Sequence, residues 1–421
     1  PETTTSNDGR SRQINSACPF TQVLSDARND ARRIERVSWV QTAELDATAT
    51  NTQLIANKPV LARADLLTTT ASASPSRAYV LVSNAGKCTR LPLSSPATIP
   101  TTVDRQTLNT AYHVTIPANL IQPGNEVSVV FDDDQGRTAN EADKTYRVFR
   151  LPVRSSITET IRVIPITYKG QNGFVSSNTG LASFMVRLLP ITAFTLTTEA
   201  AFAPPSLNQS VLGLLGTGQE SFVTMQAVLS ELDDECARRN GSQSSARTAP
   251  KCLGVFPNNL TFRTATGQVV GIAYVGGVSM LTQSVSATDV FSQLSPYGTS
   301  HWLDFRALTV AHEYGHLMNL NHAGCGGPTD TDPRLYPDGR LGGGSGYDTA
   351  REFYFSSQRL NNSGQPQFGD LMSYCTKEWS SDRSYLAALG YRSGASARVE
   401  TNSTVGRSQW LKISLQGERW S

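Results

Sequence analysis

The sequence predicts an α+β chain in which an antiparallel β-sandwich precedes a mixed α/β domain built around one histidine-bearing helix. Three observations carry this. From Val37 to about Val153 the chain runs in short extended segments broken by turns, with no long helical periodicity. Beyond about residue 156, strand-like and helix-like stretches alternate. Within that second region, residues His312–His322 read HEYGHLMNLNH, and three of the chain's five histidines fall in this window.

Residues 1–30 are polar and mixed and read as an N-terminal arm. Residues 31–155 form the sandwich-like domain. Tyr79–Val82, Val127–Phe131 and Tyr146–Val153 are its clearest strands, and Pro123–Gly124 and Asp132–Gly136 its turns. The second domain spans 156–395. It opens with a strand at Arg162–Tyr168, a short helix at Leu181–Leu189 and a strand at Ile191–Thr197. Phe222, Met225, Leu229, Leu232 and Cys236 then mark one face of an amphipathic helix. Val269–Val275 is apolar, with Gly271 inside it and Gly276 and Gly277 after it, as in a sheet strand running into open backbone. Ala323–Phe368 is rich in Gly, Pro and Asp, and a loop of that length is functional or mobile. Residues 396–421 are a C-terminal extension, with one more strand at Gln409–Leu415.

Composition narrows the function classes. A chain of 421 residues can bury two or three cores. A net charge of +2 without a dense Lys/Arg cluster gives no footprint for nucleic acid or an acidic membrane surface. No apolar run approaches the ~20 residues of a membrane span. Six cysteines without C-x-x-C spacing favour disulfides and an oxidising compartment over a structural zinc site. Paired by proximity in sequence they give Cys18–Cys88, Cys236–Cys252 and Cys325–Cys375, with other connectivities open. The chain is therefore read as secreted. The polar opening Pro1–Asn15 is not a signal peptide, and one is taken to have been removed ahead of this numbering.

The chemistry sits in the helix. His312 and His316 are one turn apart, so both imidazoles share a face and can hold one Zn²⁺. Glu313 lies on the rim of that face, where a carboxylate can serve as general base. His322 closes the site only if the helix stops near Asn319 and the chain turns back. Leu308, Ala311, Gly315 and Met318 give the helix a separate buried face. Asp132–Asp134, and Asp330, Asp332, Asp338 and Asp348, offer oxygen ligands for calcium, with ordinary turn carboxylates the simpler reading of both groups.

With its third histidine the helix resembles the metzincin clan of zinc endopeptidases, whose motif is H-E-x-x-H-x-x-G-x-x-H. Asn319 stands where that motif has glycine, and Asn is the next-best residue at positive φ. Asp370–Cys375, DLMSYC, resembles the clan's methionine turn, with Met372 beneath the metal. Tyr374, two residues on, matches a tyrosine that in some metzincins stabilises the transition state. HAGCGGP, YPDGRLGGGSGYD and DLMSYCTKEWSSDRSY are similar to blocks of secreted gametolysin-like and mucin-degrading bacterial members. The resemblance implies a metzincin-like domain with a mixed sheet, an active-site helix and a Met-turn. It implies a zinc metalloendopeptidase with His312, His316 and His322 as ligands and Glu313 and Tyr374 as catalytic residues. Its substrates would be extracellular proteins or glycoproteins, lying extended along the Val269–Val275 strand. The rival expectation is an adhesin that binds glycan or protein and carries a vestigial zinc site.

Overall fold

Strand β1 (Thr158–Pro165) opens the larger of two units in the computed structural model, and its burial alternates before ending in a fully buried run. Helix α1 (Asn178–Leu188) follows, its first turn capped by Ser177 Oγ, which accepts from the Gly180 N–H at 3.0 Å. After β2 (Ala193–Thr198) and β3 (Gln219–Ser221), helix α2 (Phe222–Asn240) starts on a second serine cap. There Ser221 Oγ accepts from the Thr224 N–H, and the helix ends at Gly241, whose φ is +71°. Strands β4 (Lys251–Phe256), β5 (Thr261–Arg263), β6 (Gln268–Tyr274) and β7 (Ser279–Gln283) precede helix α3 (Phe305–Leu317). Helix α4 (Asp382–Arg392) begins with a Ser381–Ser384 capping box, and β8 (Gln409–Ser414) follows it.

The structure describes residues 3–5, 11–13, 32–49, 52–73, 77–84, 87–132, 144–208, 219–241, 246–264, 268–286, 305–328, 330–350, 352–358, 360, 367–375, 377–394 and 409–414. The eight strands form one mixed sheet in the order β2-β1-β4-β7-β6-β5-β3, with β8 added to β6. β1, β2, β4 and β7 run parallel, whereas β6 is antiparallel to β5, β7 and β8. Every residue of β4 and β6 is buried, as expected for central strands covered on both faces. Met225, Leu229 and Leu232 of α2 join Ile164, Phe256, Ile272 and Leu281 in one apolar core. Burying each such side chain contributes roughly 1.5–3 kcal/mol. The Cys236–Cys252 disulfide ties α2 to β4, with Cα atoms 5.9 Å apart.

Helix α3 lies on β6 and β7 and against α1. Its sequence suggests two separate faces, but every residue from Ala307 to Met318 is buried. The helix is enclosed on all sides, which its near-absence of charge permits. Its core face and its histidine face are both interior.

The smaller unit comprises 1–156 and 343–363. It carries two four-stranded antiparallel sheets. One pairs Tyr112–Ile116, Val60–Thr68, Arg32–Val40 and Glu44–Asp46 in that order; the other pairs Lys144–Arg150, Glu126–Asp132, Arg77–Asn84 and Lys87–Pro92. The Gly-rich stretch read from sequence as one long loop contains a hairpin, Ser345–Asp348 with Phe353–Ser356, that belongs to this unit. The Tyr347 N–H donates to the Thr42 carbonyl at 3.0 Å, and the Tyr354 hydroxyl donates to the Arg105 carbonyl at 3.1 Å. Arg63 donates to that hydroxyl from beneath. The whole chain is mixed α+β.

Candidate metal centre

Helix α3 sets His312 and His316 one turn apart, with ring centroids 4.9 Å from each other. The turn that follows decides whether a third histidine can join them. Asn319 has φ +64°, its N–H donates to the His316 carbonyl at 2.8 Å, and the Leu320 N–H donates to the Gly315 carbonyl at 3.2 Å. These two bonds make a Schellman motif with Asn at the left-handed position. The chain reverses there and brings the His322 ring to 4.7 Å from His316 and 5.3 Å from His312. One ligand atom from each of the three lies within 4.8 Å of the others, and all three residues are buried.

The outer nitrogen of each ring shows what the inner one can do. His312 Nδ1 is 2.8 Å from the Leu371 carbonyl, and His316 Nδ1 is 2.8 Å from the Leu320 carbonyl. A carbonyl only accepts, so Nδ1 must carry the proton in both rings, and in the neutral ring the lone pair is then on Nε2. His322 Nδ1 faces the Asp330 carboxylate at 2.5 Å, with the same consequence. In that tautomer each imidazole can offer Nε2 to a metal, a donor set that suits zinc. Asp330 completes the carboxylate–histidine arrangement that orients a metal ligand. Its sequence signal was one aspartate among several in a loop, with nothing to single it out.

The DLMSYC segment closes the underside. Met372 is fully buried, and a Cβ on Gly315 would fall 2.4 Å from its sulfur, so the thioether packs directly on the helix backbone. The Ala323 N–H donates to the Met372 carbonyl at 2.9 Å, and the Tyr374 N–H to the Cys325 carbonyl at 2.9 Å. The Cys325–Cys375 disulfide, Cα to Cα 5.6 Å, locks the same two segments. Asp370 anchors the turn by accepting from the Met372 N–H at 2.8 Å and Ser384 Oγ at 2.7 Å. Burial raises its carboxyl above the usual range, and those bonds partly offset the rise. Closing a loop of about 50 residues contributes roughly 4 kcal/mol in the chain-entropy model. Replacing Cys325 and Cys375 together by serine should therefore lower the thermal midpoint by several degrees. Calorimetry showing no change would mean the bridge constrains nothing.

Tyr374 points into the centre, with its hydroxyl 2.8 Å from His322 Nε2. Burial pushes its phenol up, with the Glu313, Asp330 and Glu378 carboxylates adding to the rise, so it stays neutral and donates. Glu313 is buried, and its side chain lies against β6 at Gly271. A Cβ built on that glycine would come within 2.5 Å of Glu313 Oε1 and 2.9 Å of its Cγ.

Among the described residues no acidic cluster gathers that could hold calcium. Asp330 is committed to His322, and Asp332 holds Arg334 Nε at 2.9 Å and the Asn321 N–H at 3.1 Å. Asp338 caps the Arg340 N–H, and Asp348 caps the Ala350 N–H in the other unit. Among the described residues the histidine triad is the one group placed to hold a metal. Asp133, Asp134 and the Asp132 side chain lie outside the described residues, as does Cys18 of the expected Cys18–Cys88 pair.

Asp330→Asn keeps the shape of the side chain and removes its charge. Zinc affinity should fall about 10–100-fold, read by competition with a chromogenic chelator. An unchanged affinity would mean that Asp330 does not orient His322.

A family model described as metallo-peptidase family M12B, reprolysin-like, matches residues 226–323. The matched stretch holds all three histidines and Glu313 and ends before Met372 and Tyr374. It supports a metalloprotease, for which zinc is the metal and protein the substrate. No curated protein matches the chain.

Proposed function

We propose that the chain is a secreted, zinc-dependent endopeptidase that cleaves extracellular proteins, O-glycosylated and mucin-like ones among them. The observation that carries the reading is the hydrogen bonding of the three histidines: each Nδ1 is committed to an outer acceptor, which leaves Nε2 to ligate in three rings whose ligand atoms lie within 4.8 Å of one another. His312, His316 and His322 hold the zinc. When bound, zinc supplies a Lewis acid for the scissile carbonyl and lowers the pKa of water beside it.

The chain's own residues do the rest. Glu313 takes the proton of the attacking water and passes it to the leaving amine. Its position against Gly271 sets it beside the strand on which a substrate backbone would lie. Tyr374 hydrogen-bonds the developing oxyanion through its hydroxyl and keeps its proton. The same hydroxyl engages the His322 lone pair that zinc needs, so metal and tyrosine compete for that nitrogen. Burial of the centre excludes bulk water and strengthens these interactions.

The remaining parts of the reading rest on separate observations. Two disulfides support an oxidising, extracellular setting. No helix among the described residues is long and apolar enough to cross a membrane. The edge-to-face contact of Tyr112 with Phe131, centroids 4.7 Å apart, joins the two sheets of the smaller unit and supports a β-sandwich. The assignment to gametolysin-like and mucin-degrading members rests on the sequence blocks around His322, Tyr336 and Asp370.

The test combines metal analysis with digestion of casein and a heavily O-glycosylated mucin. One zinc per chain and new peptide N-termini are expected, and the mucin-to-casein ratio defines the substrate class. Stoichiometric zinc with no cleavage of either protein would sink the peptidase.

A further inference from the structure

Strand β6 is the wall of the candidate active site, and both of its edges are taken. On one side β5 pairs with Gln268 and Val269, and β7 with Gly271, Ile272 and Ala273. The other side is covered along its length by β8. The register runs from Gln268 opposite Ser414 to Tyr274 opposite Gln409, antiparallel, with one irregularity between Val269 and Gly271. Lys412 stands opposite Gly271, the residue against which Glu313 packs. The edge that passes the general base therefore carries a strand of the chain's own sequence, QWLKIS.

We infer that Gln409–Ser414 is a built-in competitor that occupies the substrate-binding edge of β6 and weakens the binding of substrate there. The inference rests on the peptidase reading for its meaning, since only there is this edge the place where substrate pairs. An extended peptide gains its main-chain hydrogen bonds by adding a strand to an exposed edge, and an edge already paired offers it none. A tethered segment competes at an effective concentration in the millimolar range, so a free peptide of similar affinity is largely excluded. The occupant also identifies what the edge accepts: a polypeptide in β conformation, antiparallel to β6, at least six residues long. Trp410, Leu411 and Ile413 favour that conformation. Full activity then requires displacing β8, whether by a longer or tighter-binding substrate or by cleavage of the chain ahead of it, and the intact chain keeps a lower basal turnover.

The test uses the full chain carrying Glu313→Ala, so that binding is read without hydrolysis. To this background Leu411→Pro and Lys412→Pro are added. Neighbouring N–H groups of a strand point to opposite sides, so one of the two prolines removes a donor from the β6 ladder. The probe is a fluorescently labelled casein peptide of about ten residues, followed by polarisation. The proline variant should bind it at least tenfold tighter, and added free QWLKIS peptide should displace it. Equal or weaker binding overturns the inference. Hydrogen exchange on the unaltered chain provides a check that needs no variant. The Gly271–Tyr274 amides should exchange as those of an interior strand, and exchange typical of a free edge also overturns it. Neither readout involves turnover. Failure of the wild-type chain to cleave any protein would instead strike the peptidase reading and leave the strand's placement standing.

Discussion

Glu313→Ala should lower turnover of protein substrates by about 10³-fold or more and leave one zinc per chain. A positioned general base contributes typically ~10²–10⁴-fold, and the carboxylate beside the triad, Asp330, is already committed to His322 Nδ1. Metal retention should persist because the three histidines are held independently of it. Each is oriented through its own Nδ1 partner, Leu371 O, Leu320 O and Asp330. His316→Ala should do the opposite and abolish zinc binding along with activity, since two imidazoles cannot define the closed side of a tetrahedral site. The measurement is kcat/KM on casein beside zinc content by atomic absorption. Zinc lost in Glu313→Ala would make the glutamate a ligand or a structural support. Activity retained would place the base elsewhere.

Much of this centre could be read from sequence because its chemistry is local. His312 and His316 are related by helical periodicity alone, and Asn319 is a residue that tolerates the left-handed turn the third ligand requires. Cysteine spacing likewise indicated the Cys236–Cys252 and Cys325–Cys375 bridges. What escaped was the hydrogen bonding that holds these residues in place. Main-chain carbonyls have no sequence signature, so the Leu371 and Leu320 partners of the histidines were invisible. Four aspartates in one loop looked equivalent, yet only Asp330 faces His322, because the parallel bridge of Thr331 to His322 presents its neighbour to the ring. The hairpin at Ser345–Ser356 was concealed by its glycines, and its place in the smaller unit depends on Thr42 and Arg105, some 250–300 residues away in sequence. The strand at Gln409–Ser414 was legible as a strand, whereas its partner, the edge expected to receive substrate, was not.

Gly271→Ala should separate activity from stability. The added methyl would sit 2.5 Å from Glu313 Oε1, 2.9 Å from its Cγ and 2.7 Å from Thr309 Cγ2, all too close. Ladders on both edges hold β6, so the backbone cannot retreat cheaply, and the side chains must give way instead. Overpacking costs about 1–3 kcal/mol, while alanine in place of glycine in a strand recovers roughly 0.5–1 kcal/mol. The net loss of stability is therefore modest. Displacing the general base by about 1 Å, by contrast, can cost ~10²-fold in rate. Gly315→Ala is the matched control: its methyl meets the Met372 sulfur at 2.4 Å, at the flexible end of a side chain. Gly315 lies roughly 200° around the helix from Glu313, so that variant should unfold slightly earlier and keep most of its turnover. Comparing kcat/KM, zinc content and thermal midpoint for the two variants decides the matter. If both lose activity in proportion to stability, Gly271 is a packing residue and the close approach of β6 to Glu313 has no catalytic meaning. If Gly271→Ala alone loses about 10²-fold with its zinc retained, the strand positions the base.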